Sequence, residues 1–149
     1  MTDFGKRPTV PAHKTSHQAG GADEIDCTGL PGRVNIVHRG TMETQDFTYS
    51  DFDFSAGFHT LDMSSVVPVG AKFVFFLVNM VSPTVGRYFL CRHPGDTGQW
   101  NSGVLFAQVV DQAIRKTMLC GLNAAREIEY MIHADGFSTF DITVRAWLI

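Results

Sequence analysis

The eleven residues Ala71–Val81, AKFVFFLVNMV, constrain the fold of this chain more than any other stretch. Nine of the eleven are apolar, and the run from Phe73 to Val78 is unbroken. It is too short to cross a bilayer, which takes about 20 residues. Its aromatic and β-branched content, flanked by Pro68, Gly70, Pro83 and Gly86, favours a strand over a helix. A strand that is apolar on both faces needs cover on both sides. The run is therefore predicted to be the central strand of a packed β domain.

Composition sets the frame around it. A chain of 149 residues is long enough for one domain with a full core and an arm. Twelve basic against 15 acidic residues give a net charge of -3, which argues against binding to nucleic acid. There is no lysine-rich run, no signal-peptide pattern at Met1 and no span for a membrane. Cys27, Cys91 and Cys120 are widely separated and odd in number, which suggests neither a disulfide framework nor a zinc site. Synthesis in a reducing cytoplasm fits that usage. Phe, Thr, Val and Gly are plentiful while Lys and Glu are few, so an all-β fold is expected.

Residues 1–33 differ from everything after them. They hold Pro8, Pro11, Pro31 and five glycines, and only Ile25 and Leu30 offer apolar anchors. Such a segment cannot bury enough surface to offset its ordering entropy. It reads as an extended attachment arm, ordered only against a partner or its own domain, with residues 34–149 as the β domain.

Within the arm lies the most specific motif, His13-x-x-x-His17-Gln18-x-Gly20-Gly21-x-Asp23-Glu24-Ile25, followed by Leu30. The stretch resembles a short linker near the N-termini of many tailed-bacteriophage structural proteins, in tail-fibre, collar and head-fibre-like subunits. The resemblance covers roughly residues 13–30, with the two histidines, the Gly-Gly pair and the Asp-x-Ile core matching. It implies a virion protein, made in the host cytoplasm, whose His13, His17, Gly20, Gly21, Asp23, Ile25 and Leu30 dock on another virion protein of capsid or tail. It implies no catalytic activity and no cofactor. Read on their own, two histidines four apart would share a helix face and could hold a metal, with Asp23 as a further candidate. Thr15, Ser16 and the glycines disfavour that helix, so a hydrogen-bonding structural role is expected and no metal site is assigned. In a symmetric oligomer, three copies of one histidine could also meet on the axis.

Beyond the arm, Val34–His38, Gln45–Tyr49, Phe58–Met63, Gly86–Arg92, Val104–Val110 and Arg115–Cys120 read as strands between turn signals. Asp51 and Asp53 lack the glycine and distal glutamate of a calcium loop and read as solvated edge carboxylates. Leu61, Asp62, Ser64, Val67, Pro68, Gly70 and Ala71 resemble a β-sandwich module that recurs in phage virion proteins. A jelly-roll-like antiparallel sandwich of about eight strands follows as the expected fold.

The polar loop His93–Gly103 carries Trp100 beside Gln99 and Asn101. Trp100 and Asn101 are candidates for contact with a sugar or another subunit, against a lid role for the tryptophan over its own core. At the C-terminus, Ile128, Tyr130 and Ile132 alternate with polar residues, and so do Phe140, Ile142, Val144, Ala146 and Leu148. With the Ala134–Phe137 turn between them, these segments read as an antiparallel hairpin. Trp147 then falls on the polar face beside Asp141 and Arg145, where a subunit interface would explain it. Phe52, Phe54 and Phe58 are read as further apolar surface near an edge.

No catalytic fingerprint is present. Cys91 and His93 share a strand face, but no third group or oxyanion donor accompanies them. Carboxylate pairs such as Asp96 with Glu127 are the remaining candidates, for glycoside cleavage. The expectation is a non-enzymatic virion structural protein, associating with itself as a homotrimer. The alternative is a carbohydrate-binding or host-receptor-binding module that takes a host-surface glycan through the 93–103 loop.

Overall fold

In the computed structural model the described residues are 34–42, 44–98, 102–133 and 136–149. The apolar run becomes β4 (Phe73–Val81), bonded along both edges to β7 (Ile114–Gly121) and β9 (Thr139–Leu148). The far edge of β9 takes β1 (Ile36–His38) and the two-residue β2 (Phe47–Thr48). A second sheet runs β3 (His59–Asp62), β8 (Glu127–Ile132), β5 (Tyr88–Arg92) and β6 (Gly103–Phe106). Every pairing is antiparallel.

With β2 set aside, the order is 1-9-4-7 in one sheet and 3-8-5-6 in the other. Successive strands cross from sheet to sheet everywhere except between β5 and β6, which is the double Greek-key arrangement of a jelly roll. The all-β sandwich read from the sequence is the fold. The C-terminal hairpin is not: β8 pairs with β3 and β5, while β9 pairs with β1, β2 and β4. Period-2 alternation identifies each strand, but it is blind to which sheet the strand joins. The Gln45–Tyr49 strand also shrinks. After β2 the chain turns through a 3-10 turn, Tyr49–Asp51, in which Asp51 accepts bonds from the Thr48 amide (2.7 Å) and hydroxyl (3.0 Å).

The core lies between the sheets. Val74, Phe76, Val78 and Met80 from β4 are fully buried, with Phe89, Ile128, Ile132, Phe140 and Ile142. Each such side chain contributes roughly 1.5–3 kcal/mol of burial. Phe52, expected near an exposed edge, is instead in this core, edge-on to Tyr130 and Phe140 at 5.2 and 4.8 Å. Phe54 packs against the core and stacks on Tyr49 at 4.3 Å, and Arg92 covers the Phe58 ring at 3.5 Å.

One irregularity reorganises the sheet. Phe76 pairs with Val144, but Phe75 pairs with Ala146, so Arg145 is an extra residue in β9. A bulge of this kind shifts the alternation by one. Past it, Trp147 lies opposite Val74, on the core side, and Ala146 and Leu148 lie opposite Phe75 and Phe73, on the outer side. The residues between β1 and β2 satisfy the interrupted ladder. The Val144 amide donates to Asp46 Oδ2 (2.7 Å), the Arg39 amide to the Arg145 carbonyl (3.1 Å), and the Arg39 guanidinium pairs with Asp46.

Candidate functional site

The register places the outward residues of the first sheet in four rows. Ile36, Leu148 and Phe73 form one row, and His38, Ala146, Phe75 and Leu119 the next. Thr143, Leu77 and Thr117 follow, and then Asp141, Asn79 and Arg115. One half of this face is thus apolar and the other polar. In the polar half Asn79 donates to Asp141 (2.8 Å) and accepts from Arg115 (3.2 Å), which closes that end with internal bonds. In the apolar half Ile36, Phe73 and Leu119 are 58, 43 and 49 % exposed, values high enough to make them surface. A recess of about 530 Å³ lies on this face beside Ile36, lined also by His38, Phe75, Thr117, Arg145 and Ala146.

The sequence predicts cover on both faces of β4. The described residues cover only one. The outer surface of the second sheet is divided in a similar way, with Tyr88, Leu90, Val104, Phe106 and Met131 at one end and charged residues at the other. There Arg92 donates to Glu129 (2.6 Å), Asn123 donates to Glu127 (2.7 Å), and the amide of Ser64 holds the Asp62 carboxyl below the usual carboxylate range. Each outer face of the sandwich therefore has an apolar half and a polar half, and Ile36, Phe73 and Leu119 are the exposed apolar residues of the first. Contiguous apolar surface rimmed by polar groups marks interaction sites.

Trp147 does not belong to that surface. The bulge turns it inward, where it packs against the core, its indole N–H buried with no hydrogen-bond partner among the described residues. The placement of Trp147 on the polar face is corrected: the register puts it on the core side. The apolar surface falls instead on Ile36, Phe73, Phe75, Leu119 and Leu148. Phe73, Phe75 and Leu77 were visible as the second apolar face of β4. The contributions of Ala146 and Leu148 were not, since nothing in the local sequence marks the bulge.

A second feature lies where β5 and β7 meet at one end of the sandwich. A cavity of about 550 Å³ is lined there by Lys72, Cys91, Arg92, His93, Asp96 and Cys120, among others. Cys91 and His93 do share a face, as their spacing predicts. The His93 ring lies over Gly121, 3.1 Å from where a Cβ would stand. Among the described residues no hydrogen bond joins the Cys91 thiol to the His93 ring. The Cys120 thiol is pushed well up, first by its hydrogen bond with Cys91 and then by burial. A thiol held protonated is the reverse of an activated nucleophile. Asp96 borders this cavity and Glu127 does not. Among the described residues no group of three or more His, Cys, Asp or Glu is placed to hold a metal ion.

His13, His17, Gly20, Gly21, Asp23, Ile25 and Leu30 lie outside the described residues, as do Trp100 and Asn101. Comparison with protein-family models, with curated proteins and with solved structures finds no match.

Proposed function

We propose that the protein is a non-enzymatic structural subunit of a tailed-bacteriophage particle, of fibre, decoration or tail accessory type. The arm motif from His13 to Leu30 docks it on another virion protein of capsid or tail. The jelly roll joins copies of itself through the apolar half of the outer face of the β1-β9-β4-β7 sheet. The observation that carries this reading is the half-apolar outer face of the β1-β9-β4-β7 sheet, where Ile36, Phe73 and Leu119 are exposed within contiguous rows. Jelly rolls serve in viral capsids and in lectins, so the fold accommodates this role without assigning it. The trimer follows from the resemblance to phage fibre and decoration subunits, and closed cyclic symmetry is the usual outcome for identical chains. Three weakly docking arms also give avidity that one arm lacks.

The test is immunogold labelling of intact particles with antibody raised against residues 34–149. Labelling at fixed, repeated positions on head or tail is expected. Particles without label, with the protein recovered only from the free fraction of the lysate, would contradict the assignment.

The cavity beside the 93–103 loop favours a second reading, binding of a host-surface glycan. Its rim carries Lys72, His93 and Asp96, which supply donors and acceptors suited to sugar hydroxyls. Titration with host polysaccharide, followed by tryptophan fluorescence, separates the two: a saturable change supports the glycan site, and a flat response removes it.

A further inference from the structure

Cys91 and Cys120 come from opposite sheets and face each other across the sandwich interior. Cys120 pairs with Val74 in β4, so its side chain is on the core side of the first sheet. Cys91 pairs with Tyr130 on one side and Gly103 on the other, on the core side of the second. Gly103 leaves this edge open. A Cβ there would stand 2.9 Å from Met118 Cε and 3.4 Å from Cys91 Sγ, so any side chain would crowd the Cys91 thiol. Both thiols are free and buried, they line the same cavity, and the exposed Lys72 and His93 stand at its rim. Two thiols in one cavity, with no other described cysteine near, are more than packing requires.

We propose that Cys91 and Cys120 form a disulfide between the two sheets in an oxidising environment, fastening β5 to β7 at the open edge of the sandwich. The oxidant is a low-molecular-weight disulfide such as glutathione disulfide, admitted through the cavity. Cys91 Sγ, as thiolate, attacks one sulfur of glutathione disulfide, forms a mixed disulfide and expels one glutathione. Cys120 then loses its proton, its sulfur attacks Cys91 Sγ, and the second glutathione leaves. Two protons and two electrons pass from the cysteines to the oxidant, which becomes two glutathione molecules. The bond closes a loop that contains β6 and most of β7, the edge strands of the two sheets. The chemistry is independent of the virion reading. On that reading, the pair is reduced during assembly in the cytoplasm and closes after release.

The experiment uses the full chain with Cys27→Ser, which leaves only the two cysteines. The protein is held in glutathione disulfide, either folded or carried through unfolding and refolding, and its intact mass, free thiols and cross-linked peptides are measured. The expected product has lost two hydrogens, has no free thiol and yields a Cys91–Cys120 peptide pair. Its thermal midpoint rises by on the order of 10 °C, reversibly with dithiothreitol. The same protein with Cys120→Ser is expected to stop at a glutathione adduct or a free thiol on Cys91. Two free thiols, or two glutathione adducts, on refolded protein would overturn the proposal.

Discussion

The Asp46 carboxylate takes the amide of Val144 at 2.7 Å, at the place where β9 carries its extra residue. That contact sets which side of the sheet the last residues of the chain face. A strand with one residue too many leaves an amide without its ladder partner, and a buried amide without a partner costs roughly 1–3 kcal/mol. Asp46 supplies the missing acceptor and is itself neutralised by Arg39.

Asp46→Ala is therefore expected to destabilise the domain by about 2–4 kcal/mol, since it orphans the Val144 amide and takes the carboxylate from the Arg39 guanidinium, which keeps the Val144 carbonyl. Urea unfolding of the variant checks this. A loss below about 0.5 kcal/mol would mean that the carboxylate does not hold the bulge.

Trp147→Ala is expected to cost about 2–4 kcal/mol, because the side chain packs on the core side opposite Val74. Trp147→Phe is expected to be nearly neutral, since the indole N–H has no hydrogen-bond partner to lose among the described residues. Equal, negligible effects of both changes in thermal unfolding would return Trp147 to the surface.

These two residues also mark what the sequence can disclose. Alternation located most strands and named the core side of several, because a buried face imposes period 2 on whatever strand carries it. Ile128, Tyr130, Phe140 and Ile142 were legible in that way, while in the unbroken run of β4 the alternation was silent on which face is core. The bulge at Arg145 was not. It depends on Asp46, a residue far away in sequence, filling one gap in a ladder, and so it leaves no local trace. The sheet membership of β8 and β9 was hidden for the same reason: the turn between them looks alike whether it closes a hairpin or crosses a sandwich. The candidate interface was half legible, from the second apolar face of β4, and half created by the bulge.

Asp141→Leu is expected to be tolerated better than Ile142→Asp. Asp141 is on the outer face, although it is buried and takes the Asn79 amide, so its replacement should cost about 1 kcal/mol. Ile142 is fully buried in the core, and an unpaired carboxylate there should cost about 3–5 kcal/mol. Equal midpoints in urea would show that the register of β9 is wrong.

Stability is expected to fall at both ends of the pH scale. Hydrogen bonds from Ser55 and Ser64 lower the Asp53 and Asp62 carboxyls below their ordinary value of 3.8. A lowered carboxyl stabilises the fold above its unfolded value and loses that contribution as pH falls through the folded one, so the thermal midpoint should drop from about pH 5 downward. Burial raises Tyr130 above 10.0, a contribution present below that value and lost as pH rises past it. Asp62→Asn should flatten the acid limb, and Tyr130→Phe should flatten the alkaline one. Limbs with unchanged slopes would contradict these assignments.

The apolar half of the outer sheet face is the surface on which the assembly reading rests, and light scattering on the purified full-length chain at micromolar concentration tests it most directly. A particle of three chain masses is expected, falling to one chain mass when Phe73→Glu and Leu119→Glu place charges in that face while circular dichroism stays β-type. A single chain mass for the unaltered protein, unchanged as its concentration is raised, would contradict it.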